Sequence, residues 1–230
     1  MSHANAKRVL ITGSSGRIGR VLVEALKSAY MVLEADLPKH DLRNSDVCER
    51  LVKDSGIDVI IHLAWDTTAE NWRSQRVAPG NWRMAENILL SAKKHHIPRV
   101  ILASSVHVHP YRNSPASDGS LIDSHADCIP TSPYGAHKLS IEKLGLWHSK
   151  EGLEVICVRF GGVSKPATPP RDHRIVGLTH EKGVSPAYCR FFSRFSRAPA
   201  REFEALRHSI PPWFIPKSRG RRRAWSPRRG

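Results

Sequence analysis

Cysteine is scarce in this sequence of 230 residues, which contains only four, at positions 48, 128, 157 and 189. No two of them are spaced as Cys-x-x-Cys, the arrangement typical of zinc sites and of redox-active pairs. The sequence therefore predicts neither a zinc site nor a redox pair, and we expect no bound metal.

Long apolar stretches are also absent. No segment approaches the ~20 apolar residues that a membrane-spanning helix needs. The apolar run near the N-terminus is too short for the core of a signal peptide. Hydrophobic residues still make up 40% of the chain, which is adequate for a buried core. We therefore expect a soluble, reduced, cytoplasmic protein without a membrane partner.

Acidic residues are few in one part of the chain only. Residues 1–182 carry 24 Lys and Arg against 19 Asp and Glu, whereas residues 183–230 carry 12 against 2. Most of the net charge of +15 therefore belongs to the last fifth of the sequence. The basic character describes this tail and says little about the body of the protein.

Apolar segments in the body alternate between strand-like and helix-like patterns. Predicted strands cover 7–12, 31–36, 58–64, 99–105 and 153–161, and predicted helices cover 16–29, 45–56, 81–96 and 133–150. The strands are apolar almost throughout, as strands buried on both faces of a parallel sheet are. The pattern predicts a doubly wound α/β fold with ligands at the carboxyl ends of the strands. The polar segment 106–131 is interpreted as a loop over that edge.

Capping residues mark the ends of two of these helices. Ser45 is the expected N-cap of the second helix, and Gly56 is expected at its end. Ser132 is expected to cap the fourth helix, with Pro133 at its first position and Gly152 after its end.

Glycines follow the first predicted strand in the segment TGSSGRIG, at positions 13, 16 and 19. Glycine permits the tight turn, the close approach of a pyrophosphate and the packing of the helix on the strand. The helix N-terminus then presents N–H groups and a partial positive charge to phosphates. The strand, turn and helix around the motif favour dinucleotide binding over a plain glycine turn.

Asp36 lies 17 residues beyond Gly19, at the end of the second predicted strand. A carboxylate there can accept hydrogen bonds from the adenosine ribose and would repel the additional phosphate of NADP. NAD is therefore favoured over NADP, although Lys39 and Arg43 lie nearby. The alternative is a solvated carboxylate without a ligand.

Tyr134 and Lys138 are one helical turn apart and share a helix face. The Tyr-x-x-x-Lys spacing alone does not separate a catalytic pair from two polar residues on an exposed helix.

The chain resembles the extended short-chain dehydrogenase/reductase family of NAD-dependent epimerases and dehydratases. The resemblance rests on a set of segments in the family's order, from residue 7 to about 180. They are TGSSGRIG, DL (41–42), HLAW (62–65), NWRMAEN (81–87), RVILASSVHV (99–108), YGAHK (134–138) and VRFGGV (158–163). The resemblance implies a Rossmann-like domain over residues 1–180 and favours the catalytic interpretation of Tyr134 and Lys138.

The resemblance also implies roles for individual residues. Tyr134 would exchange a proton with a substrate hydroxyl, Lys138 would bind the nicotinamide ribose and favour the phenolate, and Ser105, with Ser104 as the alternative, would bind the reacting oxygen. The other expected contacts are those of the cofactor (Gly13, Ser15, Gly16, Arg17, Ile18, Gly19, Asp36, Asp41, Leu42, Leu63 and Ala64, besides Tyr134 and Lys138). Asn81 matches an asparagine that supports the site in the family and is expected near the substrate.

Other side chains suggest weaker hypotheses. His107 and His109 alternate beyond the fourth strand, which would place both on one face. Substrate contact by His107 is favoured over a metal pair. Trp65, Trp72 and Trp82 would line a sugar site or, equally, pack in the core or on the surface.

The resemblance stops near Lys182, and residues 181–230 are interpreted as a basic tail with little order. Either the tail is an unusual extension, or the reading frame changes near that codon, which we favour. In both cases the substrate-binding domain of the family is incomplete. An alternative function follows, in which an impaired cofactor-binding fragment uses its basic tail to bind nucleic acid or acidic surfaces. Nucleic acid is nevertheless not the expected partner.

The function favoured is that of an NAD-dependent sugar or sugar-nucleotide epimerase, dehydratase or dehydrogenase. The segment ASSVHVHPY resembles the uronate dehydrogenase branch but does not select a substrate. Because no additional acidic residues accompany Tyr134, oxidation or epimerisation is favoured over dehydration. By analogy with the family, a homodimer through the helices at 81–96 and 133–150 is a further expectation.

Overall fold

The computed structural model describes residues 6–53, 56–68, 77–109 and 128–161. They form five strands and four α-helices that alternate along the chain. The strands are β1 (Arg8–Thr12), β2 (Met31–Ala35), β3 (Val59–His62), β4 (Arg99–Ser105) and β5 (Glu154–Phe160). The helices are α1 (Arg17–Leu26), α2 (Ser45–Lys53), α3 (Gly80–Lys94) and α4 (Pro133–Lys150), with a 3-10 turn at Val106–Val108.

All five strands are parallel and lie in the order β2-β1-β3-β4-β5. The predicted doubly wound α/β fold is therefore confirmed. The predicted bounds of β4 and α4 agree with the structure, whereas α1 and α2 end before the predicted positions 29 and 56.

The expected N-cap of α2 was wrong by one residue. The side-chain oxygen of Asn44 accepts hydrogen bonds from the backbone N–H groups of Asp46 (2.8 Å) and Val47 (3.4 Å), so Asn44 is the cap and Ser45 is helical. The cap at α4 is confirmed, since the Ser132 hydroxyl accepts from the Gly135 N–H at 3.1 Å.

The sheet has a buried core on each face, because neighbouring strand residues point to opposite sides. On one face, Leu10 and Ile60 pack with α2, α3 and α4. On the other face, Ile11 and Ile61 pack with α1. The described residues therefore form three layers, with the sheet in the middle.

The strand order reverses between β1 and β3. The chain leaves β1 toward the face covered by α1, and it leaves β3 toward the face covered by α3. The topological switch point, where open α/β sheets bind ligands in a crevice, consequently lies between the carboxyl ends of these two strands.

Two predicted segments lie wholly or largely outside the described residues. They are the tail 181–230 and most of the loop 106–131, of which the structure describes 106–109 and 128–131. Within the described residues, no helix has both the length and the apolar content needed to cross a membrane.

Candidate active site

The glycine loop after β1 is folded tightly against β3 and α1. Gly13 has a positive φ of 69°, and a Cβ added there would lie 2.7 Å from the Ala64 nitrogen. A Cβ at Gly19 would lie 2.2 Å from the Gly13 carbonyl oxygen. A side chain fits at neither position, so the loop depends on glycine for its path.

The N-terminus of α1 has no side-chain cap and no acidic residue in its first turn. Its N-cap is Gly16, whose backbone is extended. Arg17 is exposed, whereas the side chain of Ile18, the next residue of α1, packs on the core between α1 and the sheet. The positive end of the helix dipole therefore faces the crevice, and no carboxylate in the first turn of α1 neutralises it. This arrangement suits a phosphate.

Asp36 follows β2 and is bound to the glycine loop. Its carboxylate accepts hydrogen bonds from the Ser15 N–H (2.7 Å), the Ser15 hydroxyl (2.5 Å) and the Leu37 N–H (3.0 Å). Burial disfavours the charged form, but these hydrogen bonds more than offset that effect and hold the pKa of Asp36 below its ordinary value. The carboxylate is therefore ionised beside the loop.

Asp41 and Leu42 differ in their surroundings. A side-chain hydrogen bond from Arg43 keeps the pKa of the Asp41 carboxyl below its usual range, and this ion pair is exposed. The Leu42 side chain is buried in the core beside α2. Of the two residues implied for the adenine site, only Asp41 presents a side chain with substantial exposure.

A buried histidine supports the end of β3. The His62 Nδ1 atom lies 2.8 Å from the Thr12 Oγ1 atom, which also accepts from the Ala64 N–H at 3.3 Å. Burial lowers the pKa of His62 to about 3, and the nearby Lys138 charge acts in the same direction. Neutral His62 thus connects the ends of β1 and β3 by a hydrogen bond, just before Leu63 and Ala64 in the chain.

Tyr134 and Lys138 lie in the first two turns of α4. Tyr134 is half-buried, and its ring makes edge contacts with the rings of His107 (5.6 Å between centroids) and Trp65 (5.8 Å). Lys138 is 5% exposed and donates a hydrogen bond to the Ala103 carbonyl at 2.9 Å. The structure thus brings the predicted pair to the carboxyl edge of the sheet.

Ser104 and Ser105 at the end of β4 have different partners. The Ser104 hydroxyl donates to the Glu142 carboxylate. The Ser105 hydroxyl oxygen accepts from the His107 N–H at 3.2 Å, which begins the 3-10 turn. Because that contact uses the oxygen as an acceptor, the Ser105 O–H can donate to another oxygen.

The expectation that His107 and His109 share one face was wrong. The chain turns into the 3-10 conformation after Ser105, so the alternation of a strand no longer applies. His107 lies against Tyr134, while the Nε2 atom of buried His109 lies 3.1 Å from an Arg159 nitrogen. Burial lowers the pKa of His107, which favours its neutral form.

Gly135 sets the distance between α4 and the 3-10 turn. A Cβ at this position would lie 2.1 Å from the His107 carbonyl oxygen. The first turn of α4 therefore packs directly on this backbone, and Tyr134 is brought beside His107.

Asn81 holds the segment that follows β3. Its side-chain oxygen accepts from the Asp66 N–H at 2.7 Å, and its amide nitrogen donates to the Asp66 carbonyl at 3.1 Å. Asn81 is 1% exposed, so it supports the site from inside the fold.

Two groups of contacts were missed from the sequence. The first is an ion pair between Arg159 and Glu142, in which the guanidinium also contacts His109 and the Cys128 sulfur (3.1 Å). The second is the place of the Lys138 ammonium, 3.4 Å from the centroid of the Trp65 ring. Glu142 lies one turn after Lys138, and Trp65 ends the motif HLAW, but neither position by itself indicates its partner.

A family model described as the NAD-dependent epimerase/dehydratase family matches residues 9–182. Among curated proteins, L-arabinose 1-dehydrogenase (NAD(P)(+)) from Haloferax volcanii is 30% identical over 172 residues, covering 67% of this chain and 66% of that protein. Uronate dehydrogenase from Pseudomonas syringae pv. tomato is 28% identical over 169 residues, covering 67% and 58%. The chain thus spans about three fifths of the length of these relatives.

Solved structures agree with the sequence comparisons. A mutated uronate dehydrogenase is 29% identical, with a TM-score of 0.64 over 84% of this chain and 70% of the other. A solved structure of MoeE5 in complex with UDP-glucose and NAD is 27% identical, with a TM-score of 0.58 over 72% of this chain and 57% of the other. Uronate dehydrogenase from Agrobacterium tumefaciens, 24% identical with a TM-score of 0.67 over 84% and 73%, shares the fold. With the family model matching most of the sequence, this chain belongs to the NAD-dependent epimerase/dehydratase family.

Proposed function

We propose that the chain binds NAD in the crevice between β1 and β3 and uses Ser105, Tyr134 and Lys138 to oxidise or epimerise a hydroxyl of a sugar or sugar nucleotide. One observation carries the proposal. The backbone of Gly13 packs on Ala64, and the next residue, Trp65, contacts both Tyr134 and Lys138. The two adjacent residues Ala64 and Trp65 thereby connect the proposed phosphate-binding loop to the proposed acid/base pair.

The crevice fits a dinucleotide in charge and shape. The uncapped N-terminus of α1 suits the pyrophosphate, and the glycine loop has no side chain that would block its approach. The ionised Asp36 at the end of β2 suits the ribose hydroxyls and disfavours a 2′-phosphate. These features support NAD over NADP.

The residues of the site divide the chemistry among them. NAD supplies the hydride acceptor when it is bound. Tyr134 takes the hydroxyl proton of the substrate as its C–H bond is broken. Lys138 stabilises the phenolate by its positive charge and binds a ribose hydroxyl. Ser105 donates a hydrogen bond to the reacting oxygen and fixes its position.

Asn81 and His107 act beside these groups. Asn81 holds Asp66, and therefore the end of the segment that begins with Ala64. His107 lies against the Tyr134 ring, where its imidazole can contact the substrate.

Relatives favour sugars as the substrate class. The names of the matching proteins include an arabinose dehydrogenase, uronate dehydrogenases and UDP-glucose 4-epimerases. The dehydrogenase names state oxidation of a sugar or sugar acid, and the epimerase name states inversion of a carbon in a sugar nucleotide. We therefore favour oxidation of a sugar or sugar acid, with epimerisation of a sugar nucleotide as the second reaction of the same site.

NAD titration of the full chain by calorimetry tests the cofactor, and NADH formation with L-arabinose, glucuronate, galacturonate and UDP-glucose tests the substrate class. We expect NAD binding in the micromolar range. We also expect turnover that Tyr134→Phe lowers at least about 100-fold without loss of NAD binding. Full turnover by Tyr134→Phe, or no heat from folded protein, would contradict the proposal.

A further inference from the structure

The Trp65 ring lies beside three side chains of α4 in the proposed site. Its ring centroid lies 3.4 Å from the Lys138 Nζ atom, 5.8 Å from the Tyr134 ring and 5.4 Å from the His137 ring. The indole is half-buried and packs on the core beside α3 and α4. Trp65 therefore contacts both members of the Tyr134 and Lys138 pair.

The contact with Lys138 is a cation–π interaction in a desolvated place. An ammonium over an indole face is attracted by the ring quadrupole, and the attraction is larger where water is excluded. Lys138 is 5% exposed, so this condition is met. The Ala103 carbonyl accepts from the same nitrogen at 2.9 Å. The strand backbone and the Trp65 ring together fix the position of the ammonium.

The position of Trp65 is itself fixed by its chain neighbours. On one side, the Ala64 N–H donates to Thr12 Oγ1, and Ala64 packs on Gly13. On the other side, Asn81 holds both the N–H and the carbonyl of Asp66. The Trp65 ring therefore belongs to a segment that is held by hydrogen bonds and packing against the end of β1, the glycine loop and α3.

We propose that Trp65 is a positioning residue, which holds the Lys138 ammonium where it binds the nicotinamide ribose and supports Tyr134. The inference rests on the proposed function, because it names how one residue of that site is kept in place. Trp65 acts through Lys138, and its indole is not itself required to touch NAD or the substrate. Its contribution to NAD binding should consequently disappear when Lys138 is replaced.

A double-mutant cycle on NAD affinity tests this dependence. Calorimetry measures the dissociation constant of NAD for the wild-type chain, Trp65→Leu, Lys138→Met and the double variant. We expect Trp65→Leu to weaken NAD binding about 10-fold. The dissociation constant of the double variant should lie within about 2-fold of that of Lys138→Met. Trp65→Phe keeps an aromatic face and should weaken binding by less than about 3-fold.

Trp82 provides a matched control, since it is also half-buried and packs on the same core. Trp82→Phe should leave NAD affinity unchanged, and thermal unfolding followed by circular dichroism verifies that each variant is folded. If Trp65→Leu does not fold, the same cycle is run with Trp65→Phe, whose smaller effect must likewise vanish in the Lys138→Met background.

Two results would overturn the inference while the proposed function stands. Effects that multiply in the double variant would mean that Trp65 acts independently of Lys138. Tighter NAD binding by Trp65→Leu would mean that the indole obstructs the cofactor. Absence of NAD binding to the folded wild-type chain would instead overturn the proposed function and this inference together.

Discussion

The imidazole of His62 and the hydroxyl of Thr12 are joined by a 2.8 Å hydrogen bond inside the fold, where β3 and β1 end. Burial there lowers the pKa of His62 from its ordinary value to about 3. The folded protein therefore keeps this imidazole neutral at pH values where the unfolded chain protonates it.

This difference predicts a loss of stability in mild acid. Below pH ~6.5 the unfolded state binds a proton that the folded state does not, so the free energy of unfolding falls as pH decreases toward 3. Above that pH the contribution is fully present. When the pH is lowered from 7 to 5.5, the free energy of unfolding measured in urea should decrease in both proteins. We expect the decrease to be about 1 kcal/mol smaller for His62→Asn than for the wild type. Equal losses would contradict the assignment. Burial also lowers the pKa of His107, His137 and His148, so some acid sensitivity should remain.

The close packing of Gly19 predicts a steric effect in the first turn of α1. Gly19→Ala would place a Cβ 2.2 Å from a backbone oxygen, whereas the nearest atom to a Cβ at Gly16 is 3.0 Å away. Gly19→Ala should cost about 2–3 kcal/mol in urea unfolding and weaken NAD binding. Gly16→Ala should cost less than half as much. A stable Gly19→Ala variant with normal NAD affinity would show that the loop relaxes easily.

The pair formed by Arg159 and Glu142 should contribute more to stability than an exposed pair. Its side chains are only 24% and 11% exposed, and the pair is joined to Ser104 and His109. Glu142→Gln should lower the free energy of unfolding by about 2 kcal/mol, because Arg159 would lose its counter-charge in a partly desolvated place. Glu24→Gln breaks a solvated pair with Lys27 and should cost less than about 0.5 kcal/mol. Similar costs for the two variants would disprove this ranking.

Asp36 should determine the choice between NAD and NADP. Its carboxylate is ionised beside Ser15, where it would oppose a 2′-phosphate. Asp36→Asn should reduce the ratio of NADP to NAD dissociation constants at least about 5-fold, as measured by calorimetry. Asp58→Asn is the control, because Asp58 accepts from the Arg8 N–H at the opposite end of the strands and should leave the ratio unchanged. An unaltered ratio in Asp36→Asn would place selectivity elsewhere.

Local patterns were sufficient to predict the sheet and the place of the glycine loop. Continuous apolar runs identified the parallel strands, and Ser132, Pro133 and Gly152 located both ends of α4. Two adjacent residues that both favour capping made α2 ambiguous, and Asn44 rather than Ser45 bonds the first N–H groups.

Contacts between distant segments could not be predicted in this way. The approach of Lys138 to Trp65 depends on how α4 packs on β4 and on the path of the chain after β3. The pairing of Arg159 with Glu142 depends on the position of β5 relative to α4. Sequence spacing records neither relationship. The expected sharing of a face by His107 and His109 was wrong for a related reason, since the chain enters a 3-10 turn capped by the Ser105 side chain and the alternation of a strand ends there.

Because Gly135 has no side chain, α4 can approach the 3-10 turn closely enough for backbone to pack on backbone. Since the helix backbone rests on the His107 carbonyl with no room for a methyl group, main-chain packing fixes how closely the backbones of Tyr134 and His107 approach. This spacing does not depend on side-chain rotamers, so the start of α4 and the 3-10 turn keep it before any ligand arrives. The entropy of bringing these two segments together is lost during folding, and binding does not have to repeat that loss.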